Sequence, residues 1–100
     1  MIELGGNIEL VGFREVDGGS MIIIKKIVGN YARQFSDKSK DFKKLTLSLK
    51  KVHEREKSEK YELHAKMVAD KDHNSEVTDR NLLIAVDKVL KKIQNSAGLE

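Results

Sequence analysis

The sequence predicts an α+β fold: a two-layer sandwich in which a mostly antiparallel sheet carries two helices on one face. Two stretches, 20–35 and 79–94, repeat apolar residues at the three- and four-residue steps of one-sided helices. Three others, 7–13, 42–52 and 61–69, alternate apolar and polar residues as half-buried strands do. With a short final strand at 75–78, the predicted order is β-α-β-β-β-α.

The last helix gives the strongest signal. Its apolar stripe consists of Leu82, Leu83, Val86, Val89, Leu90 and Ile93. Thr78 or Asp79 is the predicted N-cap, because a short side-chain oxygen there accepts a backbone N–H that has no partner within the helix. Lys88, Lys91 and Lys92 lie toward the C-terminal end, where positive charge suits the helix dipole.

The first half of the chain predicts a strand followed by a helix. The strand runs over 7–13, and the sequence leaves open whether it starts at Ile2 or at Asn7. Three consecutive isoleucines at 22–24 favour a strand, but the wider window places Ile24, Val28 and Phe35 on one helical face. We therefore predict a helix over 20–35 with Ser20 as its N-cap, then a polar connector over 36–40.

Two alternating segments, 42–52 and 61–69, should pair as an antiparallel hairpin, because the charged connector between them is short. Residues 70–74 then form a turn. Lys50, His64 and Lys66 are candidates for one patch on the water-facing side of the hairpin. The sequence does not determine the register, so it does not decide which lysines share a face.

Composition limits the function. One hundred residues make one domain, assigned to 1–97, with 98–100 interpreted as an expression-vector remnant after a glycine. The absence of cysteine excludes disulfides and cysteine-based zinc sites and fits a cytoplasmic protein. No apolar run approaches the roughly 20 residues of a membrane span, so no membrane association is expected. A net charge of +3 is compatible with nucleic acid as a partner.

Clustered lysines and arginines are the candidate RNA-binding residues, because reachable cations suffice for sequence-independent phosphate binding. The predicted set is Lys43, Lys44, Lys50, Lys51, Arg55, Lys66, Lys88, Lys91 and Lys92. Glutamates are interleaved with the hairpin cations, and such mixed charge is also typical of a merely solvated surface. The few aromatic residues fit the core, so base stacking is not expected.

No catalytic, metal or cofactor site is predicted, and the protein is not expected to be an enzyme. His53 ends one hairpin strand and His64 lies inside its partner, so the two are candidates to face each other. No cysteine and no His-x-x-x-His helical pair accompanies them, so a metal site is not expected. The carboxylates at 70–76 fall in a predicted turn, where solvation leaves them without the separated pKa values that acid–base catalysis needs.

The second half of the chain resembles the ribosome hibernation-promoting (ribosome-subunit-interface) family, which has a fold like that of double-stranded-RNA-binding domains. The run NLLIAVD at 81–87, followed by Lys92 and Ile93, is similar to that family's acidic-aromatic-Ala-Ile-Asp helix. The hairpin LTLSLKKVH…YELHAKMVA is similar in length and alternation, and the resemblance spans Leu45–Gln94. Asn81 and Leu83 depart from the family's acidic and aromatic residues.

The resemblance implies binding to the small ribosomal subunit through backbone contacts with ribosomal RNA, without catalysis. Together with the basic bias, it leads to the hypothesis of an RNA- or ribosome-binding module. The alternative is a protein-interaction or homodimerisation module that uses a sheet edge, because a small open sheet has edge strands able to pair with another chain.

Overall fold

The fold has two layers, a sheet and a pair of helices. The computed structural model describes residues 2–4, 7–53 and 59–99. In chain order the elements are β1 (Ile2–Leu4), β2 (Ile8–Val11), α1 (Gly18–Lys38), β3 (Lys44–His53), β4 (Glu59–Val68), β5 (His73–Asp79) and α2 (Leu82–Ser96). The predicted β-α-β-β-β-α order is confirmed, and β1 precedes it as a further short strand.

The sheet contains five strands in the spatial order β1-β2-β3-β4-β5. β2 and β3 are parallel, because the chain returns through α1 between them, and the other three pairs are antiparallel. In the central hairpin Leu47 lies opposite Ala65, and Ser48 lies opposite His64. This register places the buried residues of neighbouring strands on the same face.

Both helices lie on that face, as predicted. The core contains residues from both layers: Ile8, Leu10, Leu45, Leu47, Leu63, Ala65 and Met67 from the sheet, and Ile24, Val28, Phe35, Val86, Val89, Leu90 and Ile93 from the helices. Burying each large side chain of this kind contributes about 1.5–3 kcal/mol relative to exposure. The opposite face of the sheet faces water, and we call it the open face.

Both helices begin at caps other than the predicted ones. The carboxylate of Asp17 accepts a hydrogen bond from Ser20 N at 2.9 Å and caps α1, so the predicted Ser20 cap is wrong. The side chain of Asn81 accepts from Ile84 N at 3.1 Å and caps α2, so neither Thr78 nor Asp79 does so. Asx side chains reach an N–H three residues on, which is the geometry an N-cap requires.

Several boundaries also differ from the predictions. α1 continues to Lys38, so the polar connector at 36–40 is mostly helical, because Ser36, Asp37 and Lys38 are all exposed to solvent and no glycine or proline interrupts the helix there. β5 has seven residues and begins at His73, inside the predicted turn, because pairing with β4 outweighs the weak local strand signal. Leu99, in the segment predicted to be a vector remnant, packs on the core, and its carbonyl accepts from Lys38 Nζ at 3.0 Å. The assignment of 98–100 as a remnant stays a prediction.

Gly12 directly follows β2 and has a backbone φ of 81°. A Cβ built there would lie 2.3 Å from the carbonyl oxygen of Leu49 on β3. Both the left-handed conformation and the close approach of the two backbones require glycine at this position. The end of the parallel β2–β3 pairing therefore depends on this residue.

Candidate nucleic-acid interface

Three of the predicted RNA-binding lysines lie on the open face, and carboxylates lie among them. Lys44 forms an ion pair with Glu9 of β2, the neighbouring parallel strand. Lys66 Nζ lies 3.6 Å from a carboxylate oxygen of Asp72. Lys50 is exposed and lies opposite Glu62 in the hairpin register. The predicted patch of Lys50, His64 and Lys66 therefore shares one face, but its positive charge is largely offset.

Two other predicted lysines lie apart from the open face. Lys43 precedes β3 and is exposed. Lys51 is among the residues lining a groove of about 520 Å³ at the end of the sheet where both helices begin, together with Asp17 and Arg80. Arg55 lies outside the described residues. Of the hairpin cations that the structure describes, Lys50 and Lys66 therefore lie on the face of the sheet opposite the lysines of the last helix.

The lysines of α2 lie on its solvent side, and two of them reach β5. Lys88 Nζ donates to a carboxylate oxygen of Asp79 at 3.0 Å, and Lys92 Nζ donates to the backbone carbonyl of Glu76 at 3.1 Å. Lys91 is exposed and makes no ion pair with any described residue. Lys91 and Lys92 therefore keep their full charge at the surface, because a bond to a backbone carbonyl does not neutralise an ammonium group.

Asp79 stabilises the start of α2 without being its cap. The pKa of its carboxyl is lowered, first by the hydrogen bond from Asn81 N and then by the bond from Lys88. The carboxylate stays ionised at neutral pH and holds the Lys88 ammonium beside β5. Asp79 therefore reduces the positive charge that Lys88 can present to a phosphate.

A second contact joins the two helices. Tyr31 of α1 donates its hydroxyl to Asp87 of α2 at 2.8 Å. Burial, followed by the bond to the Asp87 carboxylate, raises the pKa of Tyr31 to about 12. Farther along the same interface, Gln94 donates to Gln34 at 3.1 Å, so the two helices run side by side in the same direction. These contacts hold the solvent sides of α1 and α2 as one surface.

That surface includes two cations outside the predicted RNA-binding set. Lys26 and Arg33 are seven residues apart on α1, which places them on the same side of the helix, and both are exposed. Neither forms an ion pair within 7–53 or 59–99. In the sequence, their seven-residue spacing on the side of the helix opposite the apolar stripe indicates that they share one exposed surface. We define the helical outer surface as Lys26, Arg33, Lys88, Lys91 and Lys92.

The two hairpin histidines are not partners. His64 lies opposite Ser48, whereas His53 lies opposite Glu59, five residues further along β3. Five residues of strand span about 16 Å, so the expectation that the two face each other is wrong. On its other side His64 lies opposite Glu76 of β5. The register of the hairpin, in which the buried residues of β3 and β4 share one face, decides these pairings.

Neither of the two helices has the length and apolar character needed to cross a bilayer, as judged over the described part of the chain.

No protein-family profile and no curated protein matches the sequence. Solved structures do match. A ribosomal subunit interface protein from Coxiella burnetii is similar with a TM-score of 0.60 and 9% identity, covering 92% of this chain and 91% of that one. The N-terminal domain of Thermus thermophilus Protein Y is similar with a TM-score of 0.57 and 12% identity, covering 89% and 90%. The resemblance predicted from the sequence is therefore confirmed in the fold, which this chain shares with ribosomal subunit interface proteins along nearly its whole length.

Proposed function

We propose that the protein is a non-catalytic ribosome-binding module that contacts ribosomal RNA phosphates through the helical outer surface. The observation that carries the proposal is the exposure there of Lys26, Arg33 and Lys91, none of which forms an ion pair among the described residues. The fold shared with ribosomal subunit interface proteins supports the ribosome as the partner.

The charge distribution favours this surface over the open face. On the open face Lys44 pairs with Glu9, Lys66 pairs with Asp72, and Lys50 lies opposite Glu62. A phosphate approaching such lysines must compete with carboxylates and is repelled by them. Among the five cations of the helical outer surface, Lys88 alone is paired with a carboxylate of a described residue. Structured RNA is bound mainly through shape and phosphate contacts, so a module without exposed aromatic side chains suits it.

The test compares two triple variants of equal charge change. The first, Lys26→Gln, Arg33→Gln and Lys91→Gln, removes cations of the helical outer surface. The matched control, Lys43→Gln, Lys50→Gln and Lys66→Gln, removes cations outside it. Binding of each to purified ribosomal subunits and to an RNA duplex is measured by fluorescence anisotropy over a range of salt concentrations.

Each lost phosphate contact lowers the slope of log K against log salt by about 0.7–0.9. For three lost contacts, we expect the magnitude of the slope to fall by about 2–3 in the first variant and to stay unchanged in the control. If the control loses the slope and the first variant keeps it, the open face and β3 contact the RNA and the assignment to the helices is wrong. If the unmodified protein binds neither subunits nor duplex, the functional proposal itself fails.

Homodimerisation through a sheet edge stays a prediction. Lys92 occupies one backbone acceptor of β5, an edge strand, by its bond to the carbonyl of Glu76. A second chain pairing along β5 would have to displace this side chain. Sedimentation at increasing concentration checks the alternative, and a constant monomer mass would exclude a homodimer in the range tested.

A further inference from the structure

Three potential metal ligands meet on the open face, on two paired strands. Glu62 and His64 are alternate residues of β4, so their side chains leave the same face, and Glu76 of β5 lies directly opposite His64. One ligand atom from each lies within 4.8 Å of the others. The backbone positions are held by the ladder between β4 and β5 and not by a loop.

The imidazole of His64 lies between the two carboxylates. Its Nε2 is 3.7 Å from Glu62 Oε2, and its Nδ1 is 3.9 Å from Glu76 Oε2. These distances exceed a good hydrogen bond, and a neutral imidazole carries a single N–H to donate. The arrangement therefore leaves at least one carboxylate without a close donor from His64, and it leaves an imidazole nitrogen available as a ligand.

We propose that Glu62, His64 and Glu76 form a binding site for a divalent transition-metal ion, with Zn²⁺ as the ion it suits best. Zinc takes nitrogen and carboxylate ligands at about 2.0–2.2 Å, commonly three protein ligands with water in a fourth position. An imidazole in the set favours zinc, copper or nickel over magnesium or calcium, which take oxygen ligands.

Small side-chain movements suffice to close the site. Ligand atoms around a tetrahedral zinc ion are about 3.4 Å apart, so the three atoms must approach by roughly an ångström. The side chains are free to do so, since their exposures are 25% for Glu62, 50% for His64 and 58% for Glu76. No buried group has to move, and the strand backbones can stay where they are.

A bound ion would link β5 to β4 through side chains. β5 is an edge strand, with neighbours on one side only. An ion that binds only the folded chain stabilises it increasingly with concentration. The ion would also place two positive charges beside the carboxylates of Glu62 and Glu76 and so offset their negative charge. Neither effect depends on the proposed RNA contacts.

The experiment is calorimetric titration of the full chain, free of any affinity tag, with zinc chloride alone in a buffer that does not chelate metals. We expect one ion per chain and a melting temperature that rises with zinc concentration. His64→Gln should abolish the binding. Glu76→Gln and Glu62→Gln should each weaken it by about tenfold or more, the size of effect seen when groups supporting a metal site are lost.

His73→Gln is the matched control, because His73 lies outside the cluster, with its Nδ1 3.5 Å from Ser96 Oγ. It should bind zinc as the unmodified chain does. The melting temperature of each variant without zinc shows whether it is folded. If His64→Gln does not fold, Glu76→Gln still tests the site. The proposal would be overturned if the unmodified chain did not bind zinc at millimolar concentration. It would also be overturned if His64→Gln and Glu76→Gln bound zinc as tightly as the unmodified chain.

Discussion

Alanine should have opposite effects on stability at two glycines, Gly12 and Gly29, although the chemical change is the same. At Gly12 the φ of 81° alone costs an alanine about 1–2 kcal/mol. The added Cβ would also lie 2.3 Å from the carbonyl oxygen of Leu49, a backbone atom that cannot rotate away. Relieving the clash requires β2 to move from β3, so we expect a total loss of at least about 3 kcal/mol.

Gly29 lies inside α1, and a Cβ there would meet nothing within 4 Å. Alanine reduces the entropy of the unfolded chain and suits the helix, so Gly29→Ala should stabilise by about 0.5–1 kcal/mol. A chain of this size has a free energy of unfolding of about 5–15 kcal/mol. The Gly12 variant therefore loses a large part of the stability, and the Gly29 variant gains a small part.

Urea unfolding followed by circular dichroism measures both changes, with thermal melting as a second readout. One kcal/mol corresponds to about 4–8 °C in a domain of this length, so Gly12→Ala should melt at least about 12 °C lower. Gly29→Ala should melt a few degrees higher. A loss below about 1 kcal/mol at Gly12 would refute the close approach of β2 and β3 on which the reasoning depends.

Three further predictions concern the two helices. Tyr31→Phe should cost about 1 kcal/mol through the lost bond to Asp87, measured by urea unfolding at neutral pH, and a change within 0.3 kcal/mol would contradict that bond. Because the folded pKa of Tyr31 is about 12, above its ordinary value of 10, the unmodified protein should lose stability as pH rises from 10 through 12. Tyr31→Phe should lack this component, and parallel pH profiles of the two proteins would count against it. Asn81→Ala should cost about 1 kcal/mol as the lost cap of α2, whereas Thr78→Ala, at an exposed position, should change stability by less than about 0.5 kcal/mol. Equal effects at the two positions would mean that α2 is not capped by Asn81.

The periodic parts of the sequence determine the main elements. The apolar stripe of α2, from Leu82 to Ile93, and the alternation of the central hairpin predict their structures correctly, because each pattern buries its apolar side only in one type of element. The same patterns place both helices on one face of the sheet. Fold class and element order followed from this local information, and the comparison with solved structures agrees with them.

Local signals were less successful at element ends and at short strands. Thr78, Asp79 and Asn81 all have side chains able to cap a helix, and only the course of the chain out of β5 decides that Asn81 does so. β1 has three residues, too few to show an alternating pattern, and its strand conformation depends on antiparallel pairing with β2. The parallel pairing of β2 with β3 likewise depends on α1 and on the backbone contact at Gly12.

The sequence by itself determined which residues are charged, which are apolar and with what period, and hence the two layers and their buried faces. Only the tertiary structure decided which charges meet. Lys44 meets Glu9, and Glu62, His64 and Glu76 converge, because the hairpin register and the strand order set these neighbours. Register follows from packing the whole buried face at once, and a shift of even one residue would turn every side chain of a strand to the other face.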